Sequence, residues 1–282
     1  MRIIQMDEKE RKVRRVQFGT MQIIALGFMA VIFLGGVLLW MPFSNQQPIS
    51  FIDALFTAVT CVCVTGLVTI VPAVQFTLTG KVIMLCLIQV GGLGIIACST
   101  AFFLLLGKRI NFRGRRMIQQ AYGLDTLEGM VRFIKKVLWG TFTVEGIGAV
   151  LYTCCFIPEY GTARGIFYGI FHAVSAFCNA GVDILGNSSL MKYAVSPGIN
   201  FTTMLIVILS GLGFPVWYDI IDNLRNTVKS RGKRPVKWLF TKLELQSKIV
   251  LVMTAFLLLS GTVGFFFMEY SNPATMGGFT IP

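Results

Sequence analysis

Hydrophobic positions along this chain come in long runs broken by short polar or basic stretches, not in the spaced stripe of a helix that packs in water. Gly19–Met41 is a largely apolar run, long enough to cross a bilayer core of about 30 Å with some tilt. Leu78–Gly107, Val137–Ile157, Asn200–Asp222 and Ile249–Met268 repeat the pattern and predict four further spans. Two shorter apolar segments, Phe51–Thr60 and Thr162–Phe177, sit between spans and are too brief to cross. Each predicts a helix that dips into the membrane and returns. The return would be non-helical backbone, which is tolerated at that depth only where protein or a water-filled path covers it.

The two short segments are copies. Thr60-Cys61-Val62-Cys63-Val64-Thr65-Gly66-Leu67 returns 115 residues later as Ser175-Ala176-Phe177-Cys178-Asn179-Ala180-Gly181-Val182. The residues before them align too, Phe56-Thr57-Ala58-Val59 with Phe171-His172-Ala173-Val174. A second echo follows each copy, Gly91-Gly92-Leu93-Gly94 and Ser210-Gly211-Leu212-Gly213, and a glycine-rich helix surface predicts close helix packing. Val-Thr-Gly and Asn-Ala-Gly exits placed between spans read as pore loops.

The predicted fold is therefore an all-α polytopic membrane protein of repeated helix–pore loop–helix units, potassium-channel-like. Its parts are an N-terminal arm (1–18), a first repeat (19–107), a basic connection (108–136), a second repeat (137–222), a second basic connection (223–248) and the start of a third repeat (249–282).

Composition agrees with the pattern: 55% of residues are hydrophobic and 13% charged, about half the charged share of an ordinary soluble domain. The formal charge of +12 raises the question of nucleic acid, and its placement answers it. Of 25 Lys and Arg residues, six lie in residues 1–18, eight in Lys108–Lys136 and eight in Arg225–Lys248. That puts 22 on one side of the membrane, the positive-inside bias, and sets the N-terminus in the cytoplasm. No nucleic-acid partner is expected; contact with anionic membrane lipids is. Gly19–Met41 lacks a small-residue cleavage site and is expected to remain as a first transmembrane helix. The seven cysteines form no metal-ligand pattern with the single histidine, His172, and read as reduced, packed thiols.

A bare alkali cation is stable in a membrane when oxygens replace its water shell, and neutral backbone carbonyls do this well. The candidate filter residues are Cys63, Val64, Thr65 and Gly66 in the first loop and Cys178, Asn179, Ala180 and Gly181 in the second. Glycine supplies the dihedral freedom such a run needs at its end. The short helices before the loops would aim their negative ends at the same centre. Neither loop carries a carboxylate among these positions, which favours monovalent over divalent cations. Asp183 reads either as an outer-mouth residue that concentrates cations or as a solvated loop residue. Glu145, inside the third span, needs a partner there. It reads as a buried structural carboxylate hydrogen-bonded to pore-loop backbone, with an ion ligand as the alternative.

These loops, together with Gly211-Leu212-Gly213-Phe214-Pro215, resemble the membrane subunit of the Trk/Ktr/HKT potassium transporters, the Ktr (KtrB-like) type most of all. The resemblance implies four repeats around a pseudo-fourfold pore, of which this sequence holds two and the start of a third, so one copy alone is expected not to conduct. It implies Gly66 and Gly181 as filter glycines and Glu145 as a glutamate common in the second repeat. It implies K+, with Na+ as a second or coupled ion, no covalent cofactor, a homodimer, and a cytosolic nucleotide-binding regulatory ring (KtrA/TrkA-like). The location implied is the plasma (cell inner) membrane. Cys178 departs from the pattern, which has asparagine there more often.

Two other readings compete. A non-conducting membrane scaffold would need no completed pore. An intramembrane protease would use Tyr218-Asp219 as half of an aspartyl pair, but a second membrane aspartate on a glycine-flanked motif is missing.

Overall fold

The computed structural model describes residues 20–94, 97–98, 100, 130–229, 241–270 and 272. Those residues form helices joined by loops, with one isolated antiparallel bridge between Asn45 and Phe76. The N-terminal arm, most of the first basic connection, the middle of the second and nearly all of the chain after Tyr270 lie outside the described residues. Two compact units divide the chain, Met1–Val207 and Ile208–Pro282.

The first unit holds α1 (Thr20–Trp40), α2 (Phe51–Cys63), α3 (Pro72–Gln75), α4 (Leu78–Leu93), α5 (Met130–Tyr160), α6 (Thr162–Phe177) and most of α7 (Pro197–Leu212). α1 rises about 31 Å at 1.5 Å per residue, the thickness of a bilayer core. The 13 residues of α2 cover about 20 Å, shorter than that core, and the helix continues three residues past the expected Thr60. Ser50 starts α2: its Oγ accepts from the Asp53 amide at 3.1 Å and donates to the Asp53 carboxylate at 2.7 Å. Thr77 caps α4, accepting from Gly80 N at 3.3 Å while donating to the Phe43 carbonyl at 2.7 Å. That second bond ties the end of α1 to the start of α4 outside the apolar runs.

α5 and α6 pack as a tight antiparallel-sequence pair because α6 presents Gly165 and Gly169 to α5. A Cβ at 165 would lie 2.9 Å from the Ile157 backbone, and one at 169 would overlap Thr153. Phe156 stacks on Tyr152 at 5.9 Å between ring centres and meets His172 of α6 at 5.3 Å. At the far end of α5, Glu159 pairs with Lys192 and accepts from Tyr193 Oη at 2.6 Å. The carboxylate holds the Lys192 ammonium above the usual lysine range.

The second unit holds the end of α7, α8 (Phe214–Lys229) and α9 (Leu245–Glu269). α9 is long and apolar enough to cross a membrane, as are α1 and α5 among the described residues. Asp219, the half-pair of the protease reading, accepts from the Glu244 amide at 2.9 Å and from Asn223 Nδ2 at 2.8 Å. It fastens the chain entering α9 to α8.

Two expected spans are not continuous helices. Leu78–Gly107 is broken at Gly94 and Asn200–Asp222 at Gly213, each with φ of +82°. A left-handed residue cannot continue a right-handed helix, so the last turn closes on itself instead. Gly94 N bonds to Gly91 O at 3.1 Å and Gly213 N to Ser210 O at 3.3 Å. The chain then resumes from the same glycines, Cys98 N to Gly94 O and Trp217 N to Gly213 O. The bend at Gly213 is 94°. The second glycine echo in the sequence is thus a repeated helix break, and in its first copy a close-packing surface as well.

Candidate functional site

α2 and α6 end in the same turn. Val64 and Asn179, equivalent across the 115-residue offset, both have φ of +57°. Gly66 and Gly181 follow with φ of +75° and +65°. Thr65 N donates to Thr60 O at 3.1 Å, and its counterpart Ala180 N donates to Ser175 O at 2.8 Å. A β-branched valine in the left-handed region is strained. Asn179 adopts this region more readily, so the strain falls on Val64, while the backbone shape is common to both loops.

A hydroxyl braces each loop against its own short helix. Thr60 Oγ1 and Thr65 Oγ1 share a hydrogen bond of 2.7 Å, and Ser175 Oγ donates to Val182 O at 2.5 Å. The two loops then meet at their glycines. A Cβ on Gly66 would stand 2.8 Å from Ala180 O and 3.6 Å from Gly181 Cα. Two helix C-termini and two extended loop ends converge here, which concentrates backbone oxygen and negative helix ends in one place.

α4 seats both loops through adjacent glycines. A Cβ on Gly91 would overlap the carbonyl of Val62, at the end of the first short helix, and one on Gly92 would overlap Sγ of Cys178. This is why the two loops, alike in backbone, differ in burial: Cys178 is buried on α4 whereas Cys63 is exposed. In the same way Ala180 is buried and Thr65 exposed. Gly211, the equivalent of Gly92 in the second glycine echo, has nothing within 4 Å of its Cβ position among the described residues.

The remaining candidates lie around this centre. Asp183 is half-buried, and its Oδ1 accepts from Leu185 N at 3.1 Å, so part of its hydrogen-bonding capacity serves its own loop. Asp183 also lines a cavity of about 220 Å3 behind the second loop with Tyr152, His172, Ser175 and Asn179. Glu145 is 5% exposed, and its partner differs from expectation. Its Oε1 accepts from Gln89 Nε2 of α4 at 2.9 Å, in place of pore-loop backbone. The carboxylate thereby joins the two repeats. Gln89, Thr60 and Ser175 are the residues that the sequence reading passed over. The last two were visible as an aligned hydroxyl pair, and Gln89 as an amide in the middle of an apolar run.

A profile of the TrkH family, described as cation transport protein, matches residues 5–271. The chain belongs to the TrkH family. It is 34% identical over 270 residues to a Ktr system potassium uptake protein B of Bacillus subtilis, covering 96% of this chain and 57% of that protein. It is 38% identical over 271 residues to a potassium/sodium uptake protein NtpJ of Enterococcus hirae, covering 95% and 56%. A Ktr system potassium uptake protein B of Vibrio alginolyticus is 36% identical over 262 residues, covering 93% and 55%. The chain spans about half the length of these relatives. The family is one of helical membrane transporters rather than enzymes.

Proposed function

We propose that the two loops are half of a carbonyl-lined cation filter, and that the chain forms part of the pore of a potassium uptake system. The observation that carries this reading is the contact of Gly66 with Ala180 and Gly181, between loops of the same unusual backbone shape. Cys63, Val64, Thr65 and Gly66 and their counterparts Cys178, Asn179, Ala180 and Gly181 supply the ligating carbonyls. Potassium is the ion, with sodium as the second or coupled ion, in keeping with the names of the relatives.

The seating of the second loop on α4 supports an arrangement in which each loop also rests on the glycine helix of the preceding repeat. Exposed Cys63 would then meet a further glycine helix and uncovered Gly211 a further loop, supplied by a longer chain or by a second copy. The setting proposed is the plasma membrane with the N-terminus and both basic connections in the cytoplasm, where a nucleotide-binding regulatory ring engages them.

The test is competition uptake of K+ against Na+ by the full transporter carrying these residues, in potassium-starved cells. Gly66→Ser and Gly181→Ser should each lower potassium preference, because a Cβ and hydroxyl intrude on the contact between the loops. Unchanged selectivity in both would remove these glycines from the pathway.

A further inference from the structure

A second site lies away from the loops. Between α4, α5 and α6 is a cavity of about 360 Å3, within the size range of small-molecule sites, whose lining includes Cys86, Gln89, Phe142, Glu145, Ala149 and Ile170. Its walls are apolar except at one end, where Glu145 and Gln89 form their hydrogen bond. Glu145 is almost wholly buried, and its Oε2 has no hydrogen-bond partner among the described residues. At the mouth, Cys86, Phe142 and Ile170 are exposed.

The chemistry of this cavity selects its occupant. Entry past Phe142 and Ile170 from the bilayer requires an apolar body. A carboxylate in hydrocarbon is costly alone and is compensated best by a cation that also donates a hydrogen bond. Gln89 satisfies one oxygen with a neutral donor and leaves the other for a second one. An alcohol would supply the donor without the charge, and a sulfate would add a repelling anion.

We infer that this cavity is an intramembrane binding site for a lipophilic amine, which enters from the hydrocarbon and places its ammonium on Glu145 Oε2. The site is distinct from the candidate filter, since none of the eight filter positions lines it.

The experiment uses the chain in lipid-bilayer discs and an alkylamine with a diazirine at the end of its chain. Irradiation inserts the probe into neighbouring C–H bonds, and mass spectrometry locates the adducts. Saturable labelling of peptides containing Phe142 or Ile170 is expected, competed by dodecylamine but not by dodecanol or dodecyl sulfate. Glu145→Gln keeps a hydrogen bond to Gln89 yet loses the charge, so apparent affinity should fall about tenfold or more. Ala149→Leu fills the cavity with the carboxylate intact and should abolish the labelling, which keeps the test decisive if E145Q folds poorly. Labelling that never saturates, equal competition by the alcohol or sulfate, or full labelling of the Ala149→Leu protein would each overturn the assignment.

Discussion

Gly92 of α4 lies directly against Cys178, so that residue 92 of one repeat sets the position of a loop in the next. Gly92→Ala should therefore act on the second loop rather than on its own repeat. Overpacking of this kind costs about 1–3 kcal/mol, and the loop yields before the helix does. The expected outcome is a loss of potassium-over-sodium preference in competition uptake. Gly264→Ala, whose Cβ position is open, is the control and should leave preference unchanged. Equal effects from the two would show that position 92 has no special bearing on the loop.

Ser175→Ala should loosen the second loop more than Thr60→Val loosens the first. Ser175 Oγ supplies a donor to a backbone carbonyl, Val182 O, whereas the hydroxyls of Thr60 and Thr65 satisfy each other. Removing Ser175 Oγ leaves a buried carbonyl short of a donor, a cost of about 1–3 kcal/mol. The measurement is a thermal melt of each purified variant; a larger shift for Thr60→Val would contradict the assignment of these two bonds.

Glu145→Leu should destabilise the protein by about 1–3 kcal/mol, because it leaves Gln89 Nε2 without its acceptor inside the membrane region. Glu145→Gln retains an acceptor at the same place and should lose much less. Denaturation of both variants in the same detergent ranks them. The reverse order would mean that charge, not hydrogen bonding, holds α4 to α5.

Thiol labelling in intact cells tests the orientation. Single cysteines at Asn187 and Lys192 should react with an impermeant maleimide added outside, and one at Lys229 should not. Labelling at Lys229 from outside would reverse the proposed topology.

The short helices and their loops were legible in the sequence because identical residue types recur at one fixed spacing, with a glycine closing each copy. The boundaries of α6 fell where the sequence put them, Thr162 and Phe177, since a polar-to-apolar change marks one end and the loop motif the other. The breaks at Gly94 and Gly213 were hidden. A glycine within an apolar run reads equally as a place for close packing, and the left-handed turn depends on dihedrals that composition does not record. The bond between Gln89 and Glu145 was hidden for a different reason: 56 residues separate the partners, and either alone asks only for some partner.

The two glycine echoes do not share the spacing of the two loops. Gly66 and Gly181 lie 115 residues apart, Gly94 and Gly213 lie 119 apart, and α4 and α7 are each 16 residues long. The four extra residues of the second copy therefore fall between the loop and the following helix, in the stretch that contains Ser189–Tyr193. Duplicated units of this kind have kept a common gauge where the chain is immersed and drifted in length where it meets water. An epitope or affinity tag inserted near Ser188 would follow the same licence, while a single residue added between Thr60 and Gly66 would not.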